Sequence, residues 1–216
     1  MRNILSLAVL LVAAPAFAGV TNVQAVLAEG AGIPAGFVSN DILIDFEGNL
    51  RGQQMIVALS QGTMYQDAFG SNTAPTAALI PAFPAVAFDS FVTVGGATAS
   101  SSQATLVVGG APNLPGDSTD LLFDTTGANI AWAPGTGVNV PNGTGYLTAR
   151  LTLSDDAVGE VWYFGSTSGT DDPLVAAPGG NFPVGLIQGG AVTFIPEPAT
   201  AMLAGLALVG FVARRR

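Results

Sequence analysis

The 216-residue sequence has no cysteine, no histidine and no lysine. Without cysteine there is no disulfide, no thiolate metal site and no cysteine nucleophile. Without histidine there is no Ser-His-Asp triad and no imidazole zinc site. Without lysine there is no Schiff base. Charge of either sign is scarce, 10% of residues against a usual ~25%. The acid–base groups that remain are carboxylates, tyrosine, serine and arginine.

Positive charge is almost confined to the ends. The six basic residues are Arg2, Arg51, Arg150, Arg214, Arg215 and Arg216. Residues 19–195 hold two of them against fourteen carboxylates, a net of −12. Such a stretch repels nucleic-acid backbones and anionic lipid, so no nucleic-acid partner is expected. What is abundant is apolar residues (49%), 28 glycines and 14 prolines. This is a strand-and-turn composition, long enough for one domain with a core.

The N-terminus reads "MRNILSLAVLLVAAPAFA". Arg2 is a positive n-region, Ile4 to Ala14 an apolar h-region, and Ala16 and Ala18 the small residues a signal peptidase reads. Residues 1–18 are therefore expected to be a signal helix, cleaved before Gly19. The C-terminus reads "FIPEPATAMLAGLALVGFVARRR". Ala199 to Ala213 carries no charge and, as a helix, spans about 22 Å. That is short for a hydrocarbon core of about 30 Å, and crossing needs local thinning. Arg214, Arg215 and Arg216 are expected to stay cytoplasmic as a stop that sets orientation. Pro196 and Pro198 keep Glu197 in an extended stretch just outside.

Pro196-Glu197-Pro198, the short apolar stretch and the terminal arginines resemble the PEP-CTERM sorting signal of Gram-negative-type bacteria. The resemblance covers residues 194–216. It implies an exported protein handled by exosortase, a membrane-embedded enzyme expected to cleave near Pro-Glu-Pro, often alongside exopolysaccharide production. It implies transit through the inner membrane and arrival at the cell surface or extracellular matrix. A permanently held single-span anchor is the alternative. The resemblance says nothing of the body, residues 19–193.

That body reads as strands. "YLTARLTLS" alternates Leu147, Ala149, Leu151 and Leu153 with Thr148, Arg150, Thr152 and Ser154. "DILIDFEG" and "QQMIVALSQG" repeat the period of two, as separate strands, and "GEVWYFGS" is an aromatic strand after the turn "DDAVGE". Further candidates are Val23–Leu27, Phe91–Val94, Thr105–Val108, Asn129–Trp132, Val184–Ile187 and Ala191–Phe194. Gly70–Val86 and Ser166–Pro183 read as long loops. The expected fold is all-β: an antiparallel β-sandwich, jelly-roll-like or Greek-key, with a barrel as the alternative. It is flanked by the N-terminal signal helix and a short C-terminal transmembrane helix.

No catalytic residue is assigned, and the expected role is structural or interactive, with extracellular polysaccharide as a partner. The alternative is a carbohydrate-binding module or a carboxylate-based glycan-active enzyme, with Asp155, Asp156 and Glu160 near Trp162 and Tyr163. No cofactor is required. Calcium is the ion whose oxygen ligands the loops offer, at Asp155, Asp156, Asp171 and Asp172, against a reading as solvated turn residues. Asp117, Asp120 and Asp124 lack an EF-hand pattern.

Overall fold

One strand organises the molecule. In the computed structural model, which describes residues 19–114, 119–168 and 184–195, β2 runs unbroken from Phe37 to Gln61. It absorbs both alternating runs that the sequence suggests are separate strands. Its first half pairs with β1 (Gly19–Leu27) on one side and β7 (Pro141–Ser154) on the other. Its second half pairs with β8 (Val158–Ser168) and β6 (Gly127–Pro134). Asn49 is the crossing point, opposite Pro141 of β7 and Ser168 of β8. Gly48 makes the bend. Its φ is +84°, and a Cβ there would meet the Ser168 carbonyl oxygen at 2.6 Å. Only glycine takes both at no steric cost.

The other strands extend the two halves. β3 (Phe91–Val92) pairs with β7, while β4 (Thr105–Gly109) and β5 (Leu122–Asp124) pair with β6. β9 (Val184–Gln188) pairs with β8, and β10 (Ala191–Phe194) with β9. All these strand pairs are antiparallel. The all-β, antiparallel expectation therefore holds. Instead of the two separate sheets of a sandwich, the ladders join the ten strands of the described residues into one curled sheet, because β2 belongs to both halves.

The concave side of the curl is the core. Ile42, Ile44, Met55, Val57, Ile130, Trp132, Leu151 and Tyr163 are buried there in one cluster. Trp132 also donates its indole N–H to the Thr93 carbonyl at 3.2 Å. The segment from Gly62 to Ser90 lies outside the strands except for single bridges, and ends in a short 3-10 helix, Pro84–Phe88. The long loop expected over Gly70–Val86 is thus present. Among the described residues no helix is long and apolar enough to cross a membrane. The expected signal helix (1–18), the apolar stretch (199–213) and most of the second loop (169–183) lie outside the described residues.

Candidate functional site

The sorting tail leaves the body through the β9–β10 hairpin. Gly189 (φ +58°) and Gly190 (φ +74°) form its two-residue turn, the left-handed pair that matches strand twist. Ile187 and Val192 face the core from the two strands. Beyond β10, the Ile195 N–H still bonds the Val184 carbonyl at 3.0 Å. Pro196 follows directly in sequence. The body thus holds the chain up to the residue before Pro-Glu-Pro. Pro196, Glu197, Pro198, Arg214, Arg215, Arg216, Ala16 and Ala18 lie outside the described residues. Gly19, the expected first residue after signal cleavage, opens β1 opposite Glu47.

The aromatic strand divides its two rings between its faces. Tyr163 points inward and is fully buried. Its hydroxyl donates to Gln53 Oε1 at 2.8 Å, and the Thr148 hydroxyl donates to the same oxygen. Burial pushes the phenol pKa well above its ordinary value. Trp162 lies on the outer face, half-buried, with Glu160 two residues away on that face. An open depression of about 440 Å³ at Glu160, which Trp162 does not line, is formed by Ala58, Ser60, Val158, Glu160, Leu186 and Gln188, among others. Glu160 is the carboxylate it contains, where a glycosidase needs a facing pair.

Asp155 and Asp156 are exposed in the β7–β8 turn. The Ser154 hydroxyl donates to Asp156 Oδ1 at 2.6 Å, which holds that carboxyl below its ordinary pKa. The Asp155 N–H bonds the Gly36 carbonyl at 2.9 Å. These are the local bonds of a turn. Among the described residues no three Asp or Glu side chains gather as a metal site would require. Asp171 and Asp172 lie outside them.

Sequence reasoning missed the electrostatic centre. Arg150 is buried, and it grips Asp41 from Nε to Oδ1 at 2.7 Å and from Nη2 to Oδ2 at 2.9 Å. Its third arm donates to the Ala87 carbonyl at 2.5 Å. The guanidinium carbon lies 5.3 Å from the Phe88 ring centre and 5.7 Å from that of Phe91. The ion pair joins β7 to β2, and the Ala87 hydrogen bond and the Phe88 ring fasten the 62–90 segment to the sheet.

Within that segment Asp89 is buried and accepts the N–H groups of Asp67 (2.8 Å) and Ser71 (3.1 Å). Burial, with Asp67 nearby, pushes its pKa up to about 7, although the accepted hydrogen bonds oppose the rise. The Tyr65 hydroxyl donates to Asp67 Oδ2 at 2.8 Å; burial and this bond take its pKa to about 12. The available signal was compositional. Asp67 and Asp89 bracket a run without a single charge, residues 68–88.

Residues 194–216 match the family model of the PEP-CTERM protein-sorting motif. Comparison with the curated proteins and with the solved structures gives no match.

Proposed function

We propose that this is an exported bacterial protein whose tail directs it to the cell surface or the exopolysaccharide matrix. There it has a non-catalytic structural or interaction role. The observation that carries the reading is the match of residues 194–216 to the PEP-CTERM sorting motif. In this reading signal peptidase removes residues 1–18, and the body, residues 19–193, crosses the inner membrane. The tail, 194–216, pauses in that membrane with Arg214, Arg215 and Arg216 on the cytoplasmic side. Exosortase then acts near Pro196-Glu197-Pro198.

The test is fractionation of host cells carrying either the intact chain or a Glu197→Ala variant, with and without the exosortase. The reading expects the intact chain outside the inner membrane. It expects the variant, or the chain in the exosortase-deficient host, to accumulate in the inner membrane. Equal distribution in all cases contradicts it and favours a permanent anchor.

A second reading, direct contact with extracellular polysaccharide, draws on Trp162 sharing the outer face with Glu160, which lines the open depression. An aromatic ring at a surface offers a sugar an apolar face and an edge for stacking. Co-sedimentation with matrix polysaccharide, weakened by Trp162→Ala without loss of folding, is the expected result. Equal sedimentation of both proteins removes this reading.

A further inference from the structure

The hairpin that carries the tail is tied to the body from inside. Asn40, in β2, is buried. Its Nδ2 donates to the Leu151 carbonyl (3.1 Å) and the Gly190 carbonyl (2.8 Å). Its Oδ1 accepts the Val192 N–H at 2.9 Å. One amide thus joins β2, β7 and the β9–β10 hairpin. The Val192 N–H points away from β9 and into this bond, while the Ile195 N–H points to Val184 on β9. β10 is therefore bonded on two sides, by the ladder and by Asn40.

We propose that Asn40 locks the C-terminal hairpin and so sets the N-terminal limit of the segment a processing enzyme can take. The cleaved bond lies at Ile195–Pro196 or beyond it. The proposal rests on the processing reading of the tail. A peptidase acts on chain that is free to enter its site, so strands must open before they are cut. Opening β10 strips Ile195 from Val184 and leaves a buried amide oxygen without its donor. Among the described residues the protection therefore extends through Ile195. In this role Asn40 is a positioning residue.

The test is intact-mass spectrometry of the full chain after expression in its host, as wild type, Asn40→Ala and Val192→Pro. Val192→Pro removes the N–H that Asn40 accepts and leaves the Ile195 bond to Val184 in place. The Val192 N–H faces away from β9, so proline there spares the β9 ladder, although it also replaces a buried core side chain. Near-UV circular dichroism reports whether each body remains packed, and Val192→Pro decides alone if Asn40→Ala does not fold.

The wild type is expected to end at Ile195 or later. Both variants, still folded, are expected to gain ends upstream of Ile195. A wild-type end before Ile195 overturns the lock, as does a folded Val192→Pro with unchanged ends. A wild type that still ends at Arg216 refutes the processing reading instead. Added proteinase K then reads the lock: its tail-side cut falls at or beyond Ile195 in the wild type and upstream in Val192→Pro. Identical tail-side cuts in both overturn the lock.

Discussion

Arg150 holds Asp41 with two parallel hydrogen bonds, 2.7 and 2.9 Å, across 109 residues of chain. The pair lies on the face of the sheet opposite the core and is covered by Phe88 and the Ala87 carbonyl. Removing one partner of a covered pair leaves the other charge unanswered. Arg150→Met is expected to cost about 3 kcal/mol. Arg150→Lys keeps the charge but loses the fork and is expected to cost about half of that. Urea unfolding measures both. Limited proteolysis should show faster cutting between residues 66 and 87 in each variant.

A second prediction concerns pH. Asp89 in the folded chain holds its proton up to about pH 7, against an ordinary value of 3.8. The folded state therefore binds more protons than the unfolded state between those values. The stability contributed by this group is complete below about pH 4 and is lost as pH rises through about 7. Asp124 and Asp156 act in the opposite sense. Hydroxyls of Thr126 and Ser154 hold their carboxyls low, so their contribution is lost at acid pH. Unfolding midpoints should thus peak near about pH 4 and fall toward pH 7. In Asp89→Asn the fall from pH 4 to 7 should flatten; an unchanged slope assigns it to another group.

A third prediction tests the bend in β2. Gly48→Val places a side chain at φ +84° and against the Ser168 carbonyl oxygen. The expected loss is about 2 kcal/mol or more. Gly36→Ala, also at positive φ but with open space around the new Cβ, should cost less. Thermal unfolding of the two variants ranks them, and the reverse order contradicts a bend forced at Gly48.

A fourth prediction concerns Tyr163. Tyr163→Phe removes one of the two hydroxyl donors to the buried Gln53 Oε1. The expected cost is about 1 kcal/mol. Because burial raises the phenol pKa, the folded state resists its ionisation. Wild-type stability should fall as pH rises above about 10, and Tyr163→Phe should lose part of that alkaline slope.

How much of this was legible in the sequence depends on which face of a strand is covered. The alternation of Leu147, Ala149, Leu151 and Leu153 placed β7 correctly, with Ala149, Leu151 and Leu153 on its inner face, but Leu147 is only half-buried, because a register shift between Ile42 and Leu43 sets Tyr146 against the core instead. The alternation also suggested that Thr148, Arg150 and Thr152 meet solvent, yet all three are buried. The 62–90 segment lies over Arg150 and Thr152, Thr148 is held by the buried Gln53, and a period of two carries no information about such distant partners. The stretch Gly48-Asn49-Leu50-Arg51-Gly52 resembles a turn between two strands. It is a bend within one strand, because Asn49 finds partners on both β7 and β8. Short β5 escaped notice because three residues show too little alternation.

For Trp162 and Tyr163, alternation dictated opposite faces but not which face is core. Packing against Trp132 and the bond to Gln53 chose Tyr163 for the interior. The sorting motif, by contrast, was fully legible, since its signal lies in local order: Pro-Glu-Pro, apolar stretch, arginines. The lock that precedes it was not, because Asn40 and Val192 lie 152 residues apart.

The most direct measurement is the intact mass of the mature wild-type protein from fractionated host cells. The account predicts a chain that starts at Gly19, ends at or shortly after Ile195, lacks Arg214–Arg216 and lies outside the inner membrane. A chain that still ends at Arg216 and stays in the inner membrane would contradict it, and the tail would then be an anchor.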